Sequence, residues 1–203
     1  MGKKIELEDF SIRLCSVIVN ARYHWRYFYA MLDFPASHDK QFLIRWHRFY
    51  TATKQAHCVA AIVGLYTALD GSKANYLTLR NFAGAVAEAG HHELAAEIRD
   101  FFDEHAKAIR SVELLRHQWA AHRTTSCNEK QSFELAKMSP ERVGDMVEAL
   151  SAIYVRIAAI GGKVVRELPA NSECEVRDVF NSAHAYHFEQ LDDVVDKLHI
   201  EMP

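Results

Sequence analysis

Apolar residues in the first part of the chain return with a helical period. Between Leu7 and Leu32, the residues Phe10, Leu14, Ile18, Val19, Tyr23, Trp25 and Tyr29 follow one another mostly at steps of three and four, with no glycine or proline between them. Such spacing gathers them on one side of a 3.6-residue turn and predicts a long first helix. Phe34-Pro35-Ala36-Ser37 interrupts it, and Ser37 or Asp39 offers a side-chain oxygen to cap a second helix. That helix runs through Phe42, Trp46, Phe49, Ile62 and Leu65 to a stop at Asp70-Gly71. A short break between two long helices predicts an antiparallel hairpin.

Beyond the hairpin the pattern is still helical. Thr78 opens a short helix that closes near Gly90, a residue suited to the left-handed position after a helix end. From His91 to about Arg123 the period continues through Leu94, Ile98, Phe101, Phe102, Ile109 and Leu115, with a kink expected near Asp103 to His105. Thr124 to Met138 is polar and weakly periodic, a loop of the length that tends to serve function. Ser139-Pro140-Glu141 reads as N-cap, first-turn proline and acidic first turn, starting a helix through Val143, Met146, Leu150 and Ile153 that ends by Gly161-Gly162 or continues weakly to Glu167. Ser172 and Glu175 form a capping box for a last helix to about Leu198. The prediction is an all-α chain, a single domain over residues 1–203, built as an up-and-down bundle of five to seven helices led by the long N-terminal hairpin.

Composition narrows the function classes. The chain has 203 residues, 49% of them apolar and 25% charged, which excludes disorder as the main state. Only eight glycines and four prolines leave too few sharp turns for a many-stranded sandwich or barrel. No apolar run approaches the roughly 18–20 residues of a membrane span, and Met1 to Glu6 reaches an acid at once, so a cytoplasmic protein with no membrane partner is expected. Cys15, Cys58, Cys127 and Cys174 lie far apart and suit reduced thiols better than a disulfide framework or a zinc knuckle. A net charge of −3 argues against tight binding of nucleic acid over the whole surface, so any RNA contact has to be local.

The segment that carries most chemistry is Glu113-Leu114-Leu115-Arg116-His117-Gln118-Trp119-Ala120-Ala121-His122-Arg123. An arginine, a polar residue beside it and a histidine six positions on, near the end of a long helix, resemble the R-x4–6-H motif of the HEPN superfamily. The Ala-His-Arg ending and the long flanking helices are most similar to its abortive-infection branch. The resemblance implies a metal-independent endoribonuclease of toxin or antiviral-defence type, without cofactor, whose partners are RNA, a second copy in a homodimer and an antitoxin protein encoded nearby. It assigns Arg116 and His122 as the catalytic pair and His117 as the supporting polar residue. Chemically, an imidazole with an unperturbed pKa of about 6.5 can take the proton of a 2′-hydroxyl. A guanidinium can then offset the charge that grows on phosphorus, leaving a 2′,3′-cyclic phosphate.

Six residues of helix turn through roughly 600° and rise about 9 Å, so Arg116 and His122 of one chain do not share a face of an unbroken helix. Either the helix ends before His122, or two chains together complete the cleft across an isologous interface. Trp119 would then be a core anchor or part of that contact, and the loop from Thr124 to Met138 would border the cleft. The structural alternative pairs Arg116 with Glu113 or with an acid on a neighbouring helix and leaves His122 as a polar helix-end residue. In that case the chain is a non-catalytic helical module that binds a nucleotide, RNA or a protein.

A second constellation interleaves bases and rings: Arg22 to Tyr29 on the first helix and Arg45 to Tyr50 on the second, side by side in the hairpin. Single-stranded RNA is recognised by such a mixture, and Arg22, Arg26, Arg45, Arg48 and Arg123 are the candidate RNA contacts, although most of the rings should be core. Histidines at 91, 92, 105, 184 and 187, with Glu93 and Glu104, do not supply a ferritin-like ligand set, and His184 with His187 lacks a third and fourth ligand, so no metal is assigned.

Overall fold

The computed structural model describes residues 6–33, 40–71, 76–117, 134, 136–137 and 139–162. Six α-helices account for most of them: α1 (Leu7–Asp33), α2 (Lys40–Leu69), α3 (Leu79–Glu88), α4 (His92–Glu104), α5 (Ala106–Leu115) and α6 (Pro140–Ile160). The expected caps Ser37 and Asp39, most of the loop from Thr124 to Met138 and the helix expected after Ser172 lie outside the described residues.

The first two helices form the expected hairpin, with contacts that run in opposite directions along the two chains. The Tyr50 hydroxyl donates to the Met31 carbonyl, His24 meets His57, and a Cβ on Gly64 would stand 2.9 Å from that of Ala21. Gly64 therefore lets α1 and α2 approach closely, and any larger residue there has to push them apart. On its other side α1 packs antiparallel on α6. The Ser11 hydroxyl donates to the Ile157 carbonyl at 2.6 Å, and Gly144 lies 3.4 Å from the Trp25 indole nitrogen when given a Cβ. Helix α1 is thus the central strut of an all-α bundle, and Leu14, Ile18, Ala21, Trp25 and Phe28, all nearly inaccessible, face its neighbours.

The short helices follow their capping chemistry. The Thr78 hydroxyl accepts from the Asn81 amide at 3.2 Å to start α3, worth about 1 kcal/mol, and Gly90 at φ +91° ends the turn after it. The Ser139 hydroxyl accepts from the Arg142 amide ahead of Pro140 to start α6. The kink expected near Asp103 to His105 is a full break: α4 stops at Glu104, His105 turns the chain, and α5 restarts at Ala106. Phe82 of α3 meets Phe10 edge-on with ring centroids 5.3 Å apart, and Arg156 of α6 pairs with Glu97 of α4, so the short helices close over one end of the long ones.

Candidate active site

Helix α5 brings Arg116 to the C-terminal end of α2. Leu115 is fully buried and Val112 and Ile109 face the same core, so the apolar face fixes the helix and leaves Arg116 and His117 at its rim. There the backbone passes from α-helix into a wider π-type turn, a local irregularity that recurs at functional positions.

Arg116 lies over the ring of Tyr66, with its guanidinium carbon 4.8 Å from the ring centroid. Its Nη1 donates to Nδ1 of His117 at 3.2 Å. Arginine has no acceptor, so Nδ1 of His117 must accept and the ring's proton sits on Nε2. His117 in turn stands edge-on to Tyr66, at 5.9 Å between centroids. The tyrosine is anchored from below: burial first, and then the carboxylate of Asp70 one turn on, to which its hydroxyl donates, push the phenol above its ordinary value, with Arg116 acting in the opposite direction. Asp70 itself is buried at the helix end. The stack therefore runs carboxylate, phenol, guanidinium, imidazole, from the core outward.

Glu113, which the structural alternative offers as one possible partner for Arg116, is engaged instead by Arg110 at 2.6 Å. Among the described residues, the partners of Arg116 are a ring face and an imidazole nitrogen, so its positive charge is oriented without being neutralised. Sequence alone does not single out Tyr66 and Asp70. Their i, i+4 spacing is visible in it, but Asp70-Gly71 reads first as a helix stop.

The other candidates are placed elsewhere. Arg22 and Arg26 both reach Glu148 of α6, at 2.9 and 3.2 Å, so the two guanidiniums share one carboxylate. Arg48 is exposed near the opposite end of α2 from Tyr66. The side chain of Arg45 lies outside the described residues, as do His122, Arg123 and Trp119. His24 and His57 face each other with Nδ1 atoms 2.9 Å apart, and Tyr27 stacks on His57 at 5.1 Å. Among the described residues, no group of three or more histidine, cysteine or acidic side chains gathers as a metal site would require. None of the described helices is long and apolar enough to cross a membrane.

The family model of the AbiU2 HEPN domains matches residues 4–160. The chain belongs to the AbiU2 family of HEPN domains. The match takes in all six described helices and the whole segment from Arg116 to Arg123, so the HEPN resemblance read from that segment extends over most of the chain. No curated protein and no solved structure matches the chain. Within this HEPN domain, the Arg116 end of α5, seated on α2, is the part of the motif whose geometry is described.

Proposed function

We propose that this HEPN domain is a metal-independent endoribonuclease of the abortive-infection kind. The observation that supports it is the setting of Arg116, a cation held in place by a tyrosine ring and a neutral imidazole nitrogen, at the rim of the bundle and within the motif segment. A phosphodiester that docks there meets a planar fork of donors already oriented.

The chemistry then needs only proton transfers. His122 takes the proton of the 2′-hydroxyl, O2′ attacks phosphorus, and the O2′–P bond forms as the P–O5′ bond breaks. Arg116 offsets the negative charge on the non-bridging oxygens as they crowd into the phosphorane. The departing O5′ collects a proton from an imidazolium, and the products are a 2′,3′-cyclic phosphate and a 5′-hydroxyl. His117, linked to Arg116, keeps the guanidinium turned towards the phosphate. Since an unbroken helix would separate Arg116 from His122 by about 9 Å and most of two turns, the reading includes a homodimer in which the motif ends of two copies form one cleft. An antitoxin protein encoded nearby is proposed as the partner that silences it.

The test is cleavage of a defined single-stranded RNA in excess EDTA, with the new ends analysed. The proposal expects cyclic-phosphate ends from the native protein and none from His122→Ala. Folded protein that leaves RNA intact at every ionic strength tried, or cleavage that EDTA abolishes, contradicts it. Light scattering across a dilution series checks the dimer, and a monomer at micromolar concentration contradicts the composite cleft.

A further inference from the structure

A net charge of −3 means that any RNA strand must find a local concentration of cations, and α5 carries one on its other side. A groove of about 840 Å³ opens between α5, the turn at residues 136–137 and the start of α6. Four cations line it, Lys107 and Arg110 from α5, Lys137 from the turn and Arg142 from α6, against the two carboxylates of Glu104 and Asp145. The groove is thus net positive on a chain that is net negative.

Two features show that the groove has a fixed wall. Ala136 is buried, and its carbonyl accepts from the Ser111 hydroxyl at 2.8 Å, which ties the turn to α5. The next residue, Lys137, has φ +52° and is the non-glycine residue with a left-handed backbone among those described. A lysine gains nothing in stability from that conformation, which glycine would adopt freely, and strained residues of this kind gather at functional sites. Its exposed side chain is one of the groove's cations.

The groove also leads to the motif. Lys107, Arg110, Ser111 and Leu114 line it at helical steps of three and four, and the next step along the same stripe is His117, the partner of Arg116. Ten residues of α5 cover about 15 Å, enough for several nucleotides of a single strand. The ion pair between Arg110 and Glu113 is solvent-exposed and short-range in sequence, so exchanging it for a phosphate costs little. An acidic polypeptide would also meet four cations, but continuity with the Arg116 stack favours a phosphate backbone. We infer that this groove binds the backbone of single-stranded RNA and guides it to Arg116; the inference rests on the ribonuclease reading above and names the path its substrate takes.

The experiment measures binding of a fluorescent, 2′-O-methylated 12-nucleotide RNA by anisotropy across a salt series, alongside cleavage of the unmodified strand. The variant Lys107→Ala/Lys137→Ala/Arg142→Ala is expected to bind at least tenfold more weakly near 0.15 M salt. The magnitude of its salt slope should fall by about 2, at roughly 0.7 for each single-strand phosphate left without its cation. Lys107→Arg/Lys137→Arg/Arg142→Lys, which keeps the charge, should bind as the native chain does. Lys137→Gly separates stability from binding: its thermal midpoint should equal or exceed the native one while RNA affinity falls. If the triple alanine variant binds and cleaves with native affinity, slope and rate, the groove is overturned and the ribonuclease reading stands. If the native protein neither binds nor cleaves RNA, both fall. Polyglutamate of equal charge displacing the RNA as well as unlabelled RNA does would reassign the groove to an acidic protein partner and overturn the inference.

Discussion

Two arginine sites of this bundle look alike in sequence and differ in three dimensions. On α1, Arg22 and Arg26 stand among aromatic residues and converge on the carboxylate of Glu148, tying α1 to α6. At the end of α5, Arg116 also meets an aromatic residue, but the ring of Tyr66 lies under it and the hydrogen bond goes to an imidazole. The first pair is tied to an acid by the fold, although two guanidiniums share that one carboxylate and the buried Nε of Arg22 has no hydrogen-bond partner among the described residues. Arg116 is positioned by a ring and an imidazole, with no carboxylate paired to it among the described residues. An arginine beside aromatic residues therefore says little until its carboxylate, or its want of one, is known.

The largest effect that bears on this contrast is expected from Arg116→Ala. Removing a cation that stabilises transition-state charge costs about 10²–10³ in rate. The fold should be unaffected, because the side chain stands at the rim and pairs with no carboxylate among the described residues; circular dichroism and cleavage assays on one preparation check both halves. Next comes Tyr66→Leu, which takes away the platform and should slow cleavage about fivefold, in keeping with a cation–π contact of about 1 kcal/mol. Tyr66→Phe keeps the ring and should stay within about threefold of native activity, losing only the hydrogen bond to Asp70. Equal loss in the two tyrosine variants would show that the hydroxyl, not the ring, sets the site.

Glu148→Ala addresses the other side of the comparison. The ion pairs are half-exposed on the Glu148 side, so screening limits the loss to about 1 kcal/mol, read as a lower urea midpoint with cleavage unchanged. A gain or loss of cleavage there would mean that Arg22 and Arg26 take part in handling RNA.

The smallest effect concerns His24 and His57, which link α1 to α2 at the level of Arg22 and Arg26. Burial holds both imidazoles below their ordinary value of 6.5, and the neighbouring His24 lowers His57 further. One Nδ1 must donate and the other accept across the 2.9 Å contact, so the neutral pair is the stable form. A lowered value in the folded state means that the unfolded chain binds more protons at mildly acidic pH. The pair's contribution is therefore complete above about pH 6.5 and is lost as the pH falls through 6.5 towards the lowered folded values. Urea midpoints measured from about pH 7.5 to 5.5 should fall, and less steeply in His57→Gln; identical slopes for the two proteins would contradict this.

Much of the fold is legible in the sequence because capping and period agree. Thr78, Ser139 and Pro140 mark helix starts, Gly90 an end, and of the apolar steps on the first helix Phe10, Leu14, Ile18, Trp25 and Tyr29 pack on the core, whereas Tyr23 is exposed. The site is less legible, for physical reasons that can be named. The stack on Tyr66 depends on contact between residues 50 positions apart, which no local pattern encodes. Asp70 is hidden by its adjacency to Gly71, which reads as punctuation. The kink near His105 is foreseen where the period weakens, but a complete break between α4 and α5 depends on tertiary packing. Lys137 in a left-handed turn is foreseen by nothing, since the residues that announce such turns are glycine and asparagine.

The central claim is that Arg116, and not the arginine pair on α1, faces the scissile phosphate. Single-turnover cleavage of one labelled RNA in EDTA, with native protein, Arg116→Ala and Glu148→Ala run side by side, tests it most directly. The account predicts equal rates for the native chain and Glu148→Ala and a drop of about a hundredfold or more for Arg116→Ala. A folded Arg116→Ala protein that cuts at the native rate would contradict it.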